Sequence, residues 1–363
     1  MKENISFDKD LYGLTTLIEC GTAQFKSQGS GFYYNEISPK DPNIDGGQWR
    51  EIKGTYLITN RHVALPKINE CEVLPDYFVF NLREVVDDKV EWVPITLSQE
   101  QLKQRLLLHN NNDVDVVAIK VDDVIIDLVS HNSDRSFIIG GSLSNDNLPI
   151  NSPIKIDVTS DIIVASYPRG FYDITNKFPI VKSGIISSGW GLQFNSMPVF
   201  LIDAQLFPGS SGGLVISKPT NIAMINGQLM HSKEKQFVFL GVYSGEPVQQ
   251  CAPFDIGDMT IIRKNSYGLG TVWYSNLISD IISSNIFDPS TLYCTTGSCC
   301  AYPLNPIPCF KSSMLSKCSI HLSSTTFNIT ILSNSSNSVP ISFFFVSNIS
   351  LACFNNSSLN SET

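Results

Sequence analysis

The sequence predicts an all-β protein with two β units, each of the size expected for one small closed barrel. The first 288 residues are rich in short apolar and β-branched segments, which glycine, proline, asparagine and aspartate interrupt. Many short strands at near-regular spacing favour a sandwich or a barrel. A polar stretch at 130–153 has no clear period, so we place the two units at 8–128 and 155–288.

Strand signals far outnumber helix signals along these units. The clearest strand segments are 55–59, 77–82, 115–121, 161–167, 184–189, 199–203, 213–217 and 237–244. Helical periodicity is confined to 98–108, where Ser98 and Gln101 resemble a capping box, and to 275–287, which has four apolar residues on one face. The second segment predicts a short C-terminal helix with Leu277, Ile278, Ile281 and Ile282 on its apolar face.

The composition changes sharply near residue 289. Residues 289–363 contain three charged side chains and several Asn-Ser clusters, and the apolar segment 343–354 shows no clear period. This composition predicts a low-complexity, irregular and disordered C-terminal tail. Cys294, Cys299 and Cys300 lack the paired spacing of a zinc site, so we expect no metal there.

Composition and charge exclude several classes of protein. Hydrophobic residues make up 42% of the chain and charged residues 16%, which suits a packed core and not a disordered chain. The net charge of −9 without a basic stripe argues against nucleic-acid binding. We find no signal peptide, no membrane-spanning run and no phosphate-cradling glycine loop, so we expect neither a membrane anchor nor a cofactor.

The cysteines before residue 289 are few and scattered. Only Cys20, Cys71 and Cys251 lie there, out of nine in the chain. Without an export signal this pattern is typical of reduced thiols rather than a disulfide framework. We therefore expect a cytoplasmic protein.

Three polar segments beside strands carry side chains that can take part in catalysis. They span 59–64, 110–121 and 203–213, and they bring a histidine, an aspartate and a serine in that order. Taken singly, a histidine after a strand, an aspartate opening a strand and a Gly-Ser-Ser-Gly-Gly run are usually a cap, a turn and a flexible loop. Their joint occurrence, with His62 followed by Asp115 after 53 residues and by Ser211 after 96 more, indicates one known constellation.

With these segments the chain resembles the trypsin-like serine proteases of the chymotrypsin-like, two-barrel fold. It is most similar to the bacterial branch that includes the high-temperature-requirement proteases. The stretch 29–32 resembles the glycine-serine-glycine turn near the start of that fold, and 183–187 resembles a serine-glycine-isoleucine strand of the second barrel. The resemblance covers about residues 12–286. It departs from the family in the tail after 289 and in Val63, which stands where many secreted animal relatives carry a cysteine.

The resemblance implies a role for each residue of the constellation. A serine hydroxyl is a weak nucleophile at neutral pH and needs a base within hydrogen-bond reach, which in turn needs an orienting acceptor. Ser211 is then the nucleophile, His62 the general base and Asp115 the acceptor that holds the imidazole. The backbone N–H groups of Gly209 and Ser211 would form the oxyanion hole, with the N–H groups brought close to substrate because glycine has no side chain.

Two neighbouring residues are alternatives for these roles. Asp113 shares a strand face with Asp115, because positions two apart point the same way. Asp115 directly precedes the apolar run 116–119, however, whereas Asp113 follows three asparagines. Ser210 stands one position too early for the Gly-x-Ser-Gly-Gly pattern, so Ser211 is the preferred nucleophile.

The resemblance also indicates where a substrate would bind. The residue six before the nucleophile, Gln205, would lie at the base of the primary pocket, and the lack of a carboxylate there argues against a basic substrate side chain. We expect a preference for a neutral, small or apolar side chain. Tyr243, Ser244 and Gly245 would form the edge strand that pairs with the substrate backbone.

The sequence thus predicts a serine endopeptidase that cleaves peptide or protein substrates through an acyl-enzyme intermediate. Three alternatives stay open. The chain could be a catalytically silent relative that binds peptides in the same groove, or a protease held inactive until a regulatory partner arrives. An esterase on an α/β fold is disfavoured by the order histidine, aspartate, serine and by the shortage of helices.

Overall fold

The computed structural model describes residues 7–43, 49–69, 71–87, 89–138, 143–250, 254–256, 259–261, 264–284, 318–323, 326–331 and 341–342. The chain divides into two units, residues 1–299 and 300–363. The described helices all lie in the first unit. They are α1 (Phe7–Leu14), α2 (Arg61–Ala64), α3 (Gln99–Arg105), α4 (Asp122–His131) and α5 (Asn276–Ser284).

Strands dominate the first unit. Those before residue 140 are β1 (Thr15–Gly21), β2 (Lys26–Ile37), β3 (Ile52–Thr59), β4 (Lys67–Ile68), β5 (Cys71–Glu72), β6 (Tyr77–Val86), β7 (Lys89–Ser98), β8 (Leu106–Leu108), β9 (Val117–Lys120) and β10 (Ser136–Ile138). Those after it are β11 (Asp161–Ser166), β12 (Ile180–Ile186), β13 (Val199–Asp203), β14 (Leu214–Ser217), β15 (Thr220–Ile225), β16 (Gln228–Gln236), β17 (Phe239–Gly245), β18 (Val248–Gln250), β19 (Phe254–Ile256), β20 (Met259–Ile261), β21 (Lys264–Ser266) and β22 (Leu269–Tyr274).

Eight strands of the first group build an antiparallel sheet, and β4 and β5 form a separate pair. The order of the sheet is β10-β6-β1-β2-β3-β9-β8, and β7 pairs with β6 off this path. In β7 the buried Val93, Ile95 and Leu97 alternate with exposed Pro94 and Thr96. Alternation of this kind turns one face of a strand to the core and the other to solvent.

Six strands of the second group close into a barrel. Strands β11-β12-β13-β22-β17-β14 form a closed barrel, so that each of its strands has a hydrogen-bonded neighbour on both sides. All four residues of β14 are buried. The pairs β15-β16, β18-β21 and β19-β20 are separate two-stranded sheets.

A shared hydrophobic cluster joins the first sheet to the barrel. Phe32 of the sheet meets Phe239 of the barrel with ring centroids 5.4 Å apart in an edge-to-face arrangement, a geometry that aromatic pairs prefer. Helix α5 buries Leu277, Ile278 and Ile281 in the same cluster. This joint core fixes the crevice between sheet and barrel, where the polar segments meet.

The predicted all-β, two-barrel fold class is confirmed. Helices α3 and α5 lie where the sequence predicts them, and Ser98 and Gln101 make both hydrogen bonds of a capping box. Helices α1, α2 and α4 are not predicted, and β10 extends the first sheet beyond residue 128. The boundaries 8–128 and 155–288 stay predictions.

The predicted tail lies largely outside the described residues. Its described parts, which belong to the second unit, are β23 (Cys318–Ser323), β24 (Thr326–Ile331) and β25 (Ile341–Ser342). These three strands form an antiparallel sheet of their own. Cys294, Cys299 and Cys300 are outside the described residues.

The expectation of reduced thiols is wrong for one cysteine. Cys71 is disulfide-bonded, a pairing that no spacing of a few scattered cysteines reveals. Cys20 is a free, buried thiol, and its Sγ donates to the carbonyl oxygen of Val63 at 3.2 Å. In the described part of the chain, none of the helices has the length and apolar character needed to cross a bilayer.

Candidate active site

His62 lies in the short helix α2, directly after β3. The neighbouring Arg61 anchors this helix: its guanidinium is 5% exposed and makes two hydrogen bonds of 2.8 Å to the Glu72 carboxylate. Such bidentate pairs fix geometry as well as charge. The His62 side chain itself remains 45% exposed, so its ring is both held at its base and open to a ligand.

Asp115 lies against His62. Its Oδ2 is 2.7 Å from Nδ1 of His62, and its Oδ1 accepts the backbone N–H of His62 at 2.9 Å. The flanking Val114 and Val116 are each 1% exposed, which fixes the backbone that carries the carboxylate. An Nδ1–H donated to the carboxylate leaves Nε2 of the imidazole as a proton acceptor.

The alternative aspartate is placed elsewhere. Asp113 is exposed, and its backbone N–H donates to Oδ1 of Asn111 at 2.9 Å within a local turn. The side chain of Asn60 donates to the carbonyl oxygen of Asp115 at 2.6 Å. Of the two aspartates, Asp115 therefore has the contacts that an orienting acceptor for His62 requires.

Ser244 connects the aspartate to the nucleophile loop, a role that sequence reasoning missed. Its Oγ donates to Oδ2 of Asp115 at 2.6 Å, and its carbonyl oxygen accepts the hydroxyl of Ser211 at 2.7 Å. The β17-β22 pairing shifts register between Tyr243 and Gly245, at Ser244. Bulges of this kind re-aim a side chain beside functional sites. The strand pattern of 237–244 gives no sign of the shift.

The two candidate serines differ in exposure. Ser210 is completely buried, and its hydroxyl accepts a hydrogen bond from Ser166 at 3.1 Å. Ser211 is half-buried and lies in the loop between β13 and β14. Its hydroxyl proton is directed to Ser244 rather than to His62 in this structure. Ser211 is thus the serine of the pair that the structure brings to the His62–Asp115–Ser244 network.

The loop before Ser211 has an arrangement that suits an oxyanion hole. Among the described residues, the backbone N–H groups of Gly209 and Ser211 donate to no partner. The carbonyl oxygen of Pro208 accepts the N–H of Arg169 at 2.7 Å. Because the N–H and C=O of a trans peptide point in opposite directions, this contact turns the Gly209 N–H away from Arg169.

Position 209 needs glycine for two reasons. Its φ is +90°, a backbone conformation that residues with a side chain rarely adopt. A Cβ at this position would also lie 2.5 Å from the backbone nitrogen of Arg169 and 3.0 Å from the carbonyl oxygen of Tyr167. The loop therefore approaches the turn at 168–170 as closely as backbone atoms allow.

The residues expected to bind substrate are distributed around this loop. Gln205 is exposed, and its carbonyl oxygen accepts the Lys182 ammonium at 2.6 Å. Tyr243 is buried, which raises the pKa of its phenol to about 12. Its N–H and C=O both pair within the protein, with Gly213 and Gly212.

That pairing occupies the backbone of Tyr243. Open space lies beside the end of the expected edge strand, at Gly245. A Cβ at Gly245 would meet nothing within 4 Å. Of the other two residues, Ser244 uses its carbonyl oxygen to accept the Ser211 hydroxyl, and Gly245 pairs with Thr271 of β22.

Comparison with known proteins shows the family of the chain. The family model described as the trypsin-like peptidase domain matches residues 29–221. No curated protein sequence matches the chain. Solved structures that resemble it include the active form of the Rv3671c protease from M. tuberculosis, with 16% identity, a TM-score of 0.36 and coverage of 79% of this chain and 89% of that one.

Two further solved structures that resemble the chain are also proteases. The serine endoprotease from Yersinia pestis shares 14% identity at a TM-score of 0.37, over 78% of this chain and 67% of its own. Protease Anisep from Arthrobacter nicotinovorans shares 12% identity at a TM-score of 0.40, over 75% and 94%. Because the family model spans more than half of the sequence, the chain belongs to the trypsin-like peptidase family and is a serine endopeptidase.

Proposed function

We propose that the chain hydrolyses peptide bonds through an acyl-enzyme intermediate, with Ser211 as nucleophile, His62 as general base and Asp115 as its orienting acceptor. One observation carries the proposal. The Asp115 carboxylate receives hydrogen bonds from both His62 and Ser244, and Ser244 in turn contacts the Ser211 hydroxyl. Hydrogen bonds through Asp115 and Ser244 thereby link His62 to Ser211.

The reaction begins with rotation of the Ser211 side chain from Ser244 toward Nε2 of His62. Oγ then attacks the scissile carbonyl carbon while His62 takes the hydroxyl proton. Collapse of the tetrahedral intermediate breaks the C–N bond, and His62 protonates the leaving amine. A water molecule then gives a proton to His62 and attacks the carbonyl carbon of the resulting ester. The C–O bond to Ser211 breaks, the acid is released, and His62 returns the proton to Oγ of Ser211.

The backbone N–H groups of Gly209 and Ser211 would stabilise the negative charge on the carbonyl oxygen. Both lack a partner among the described residues, and removal of one such donor in a comparable enzyme costs about 10²–10³ in kcat. The mechanism requires no metal or cofactor.

Substrate preference follows from the charges near Gln205. The carbonyl oxygen of Gln205 accepts the ammonium of Lys182, so a positive charge lies beside the position expected at the base of the primary pocket. A second positive charge from a basic substrate would be repelled there. We therefore propose peptide or protein substrates with a neutral, small or apolar side chain at the cleavage site.

A second candidate is a protease that a partner or effector activates. The observation that favours it is the Ser211 hydroxyl, which donates to Ser244 and not to His62. A purified protein that cleaves nothing, but cleaves when cell lysate is added, would support this form of the proposal. A cytoplasmic location stays a prediction, and the disulfide of Cys71 speaks against it because cytosolic thiols are kept reduced.

The proposal is tested by cleavage of an unfolded protein and of a peptide library. The wild type is expected to cleave both, and Ser211→Ala to lose at least about 10³-fold in kcat/KM. Ser210→Ala is the matched control and keeps activity, because its hydroxyl is buried against Ser166. Equal activity of Ser211→Ala and the wild type would overturn the assignment.

A further inference from the structure

Ser30 of β2 reaches across the crevice to the nucleophile loop. It is 1% exposed, and its backbone N–H donates to the carbonyl oxygen of Ser211 at 2.8 Å. Its hydroxyl donates to the carbonyl oxygen of Gly209 at 2.9 Å and accepts the backbone N–H of Tyr167 at 2.8 Å. One buried residue of the first sheet thus holds two carbonyl groups of the loop and one amide of the barrel.

Along the loop, the peptide groups that contain these two carbonyls alternate with the peptide groups that contain the expected oxyanion N–H donors. The Gly209 carbonyl lies in the peptide between the Gly209 N–H and the Ser211 N–H. The N–H of that same peptide, from Ser210, donates to the carbonyl oxygen of Phe207 at 3.0 Å. The intervening peptide is therefore fixed at its oxygen by Ser30 and at its nitrogen by the loop.

The remaining carbonyl groups of the loop are held without Ser30. Pro208 accepts from Arg169, and Ser210 accepts the N–H of Gly213 at 2.9 Å. Since N–H and C=O of a trans peptide are opposed, these contacts orient the Gly209 and Ser211 amides. Among the hydrogen bonds named here that hold the loop carbonyl groups, the one donated by a side chain comes from the Ser30 hydroxyl.

Glycine makes the Ser30 contact important for the loop. Gly209 has a φ of +90°, and glycine populates positive and negative φ with similar ease. The Gly209 backbone therefore resists rotation of the Gly209–Ser210 peptide less than the backbone of any other residue would at this position. A hydrogen bond to the carbonyl oxygen of Gly209 supplies the restraint that a side chain would otherwise provide.

We propose that Ser30 is a positioning residue that holds the Gly209–Ser210 peptide so that the amides of Gly209 and Ser211 point to one oxyanion. This inference rests on the proposed function, because it assigns a device within the same site. Ser30 touches no substrate and takes no proton. Its effect falls on the transition state, where the oxyanion is formed, and not on the bound substrate.

The test is steady-state cleavage of a peptide by Ser30→Ala, together with inhibition by a peptide aldehyde. The aldehyde forms a tetrahedral adduct with the nucleophile and places an oxyanion in the hole. We expect kcat to fall about 10- to 100-fold with KM changed less than twofold. The affinity for the aldehyde is expected to fall by the same factor, whereas that for the corresponding peptide alcohol, which forms no adduct, stays within twofold.

Two further variants separate positioning from a general loss of structure. Ser217→Ala also removes a buried serine hydroxyl, one that accepts the backbone N–H of Val238 at 2.8 Å on β14, and is expected to keep kcat. Ser30→Cys keeps the shape with a weaker donor, so its kcat is expected between those of Ser30→Ala and the wild type. If Ser30→Ala fails to fold, Ser30→Cys carries the same test, with equal losses in kcat and aldehyde affinity expected.

The outcomes distinguish the inference from the function it rests on. Wild-type kcat and aldehyde affinity in Ser30→Ala or Ser30→Cys, alongside an inactive Ser211→Ala, would overturn the role of Ser30 alone. A parallel rise in KM and in the dissociation constant of the peptide alcohol would also overturn it, because substrate binding would then be lost. Full activity of Ser211→Ala would overturn the proposed function and the inference together.

Discussion

The hydroxyl of Ser244 donates to Oδ2 of Asp115 at 2.6 Å, and the same oxygen lies 2.7 Å from Nδ1 of His62. One carboxylate oxygen thus receives donors from β17 of the barrel and from α2, the helix that follows β3. A hydrogen bond to a charged group contributes about 1.5–3 kcal/mol. Its geometry couples the position of the imidazole to the conformation of β17.

Loss of this donor predicts a weaker enzyme. Ser244→Ala removes one of the three hydrogen bonds that hold the Asp115 carboxylate against His62, so kcat is expected to fall about 10- to 100-fold, the equivalent of that hydrogen bond. Peptide cleavage measures the change. Ser283→Ala is the control, because its hydroxyl donates only to the carbonyl oxygen of Ser279 in α5. An unchanged kcat for Ser244→Ala would contradict the coupling.

The choice between the two aspartates gives a second prediction. Asp115→Asn keeps the shape but can turn an amide N–H toward Nδ1, which favours the wrong tautomer of His62. In a trypsin-like enzyme the equivalent aspartate-to-asparagine change lowers kcat about 10⁴-fold, and we expect a similar loss here. Asp113→Asn is expected to stay within twofold. Comparable losses in both variants, measured as kcat on one peptide, would remove Asp115 from its proposed role.

The buried ion pair of Arg61 and Glu72, next to His62, gives a prediction about stability. Glu72→Gln leaves the Arg61 guanidinium, which is 5% exposed, without its counter-charge. Breaking a buried pair in this way costs about 3–5 kcal/mol, and urea unfolding is expected to show that decrease in the free energy of unfolding. The exposed pair Lys218–Asp161 is the control, since Asp161→Asn is expected to cost less than about 1 kcal/mol. Similar costs for both pairs would contradict the account of α2.

The free thiol gives a prediction on pH. Burial raises the pKa of Cys20 to about 12, so in the native protein the thiol stays neutral at a pH where an exposed cysteine is largely thiolate. Because the thiolate is the nucleophile, iodoacetamide at about pH 9 is expected to leave Cys20 unmodified in native protein and to alkylate it in urea. Mass spectrometry of the peptide with Cys20 measures this, and rapid native alkylation would contradict the burial.

The same shift predicts a decrease in stability at high pH. The folded pKa lies above the unfolded one, so the unfolded chain loses its proton first as the pH rises. The contribution of Cys20 is therefore complete below about pH 9 and is lost as the pH rises toward about 12. Cys20→Ala is expected to show a weaker decrease of the free energy of unfolding over this interval than the wild type; an equal decrease would contradict it.

Local patterns in the sequence predict much of this fold. Short apolar and β-branched segments locate β11, β13 and β14, and the capping box at Ser98 predicts the start of α3, because these signals depend on neighbours a few residues apart. The order of His62, Asp115 and Ser211 likewise follows from motifs that each lie within one loop. Resemblance then supplies the family, and the family match agrees with it.

Long-range contacts were beyond such reasoning. Ser244 reaches Asp115 over 129 residues and depends on a bulge in β17, which no local pattern marks. The glycine-serine-glycine turn was visible as a motif, but the hydrogen bond from Ser30 to Gly209 joins residues 179 positions apart. The disulfide of Cys71 was missed for the same reason, since scattered cysteines carry no pairing information.

Covalent labelling with a fluorophosphonate, followed by mass spectrometric mapping, tests the central claim most directly. An activated serine attacks the phosphorus, so the account predicts one adduct per chain on the peptide that contains Ser211. Ser210→Ala is expected to keep this adduct and Ser211→Ala to lose it. A folded wild type that stays unmodified, with or without added lysate, or that carries the adduct on a different serine, would contradict the account.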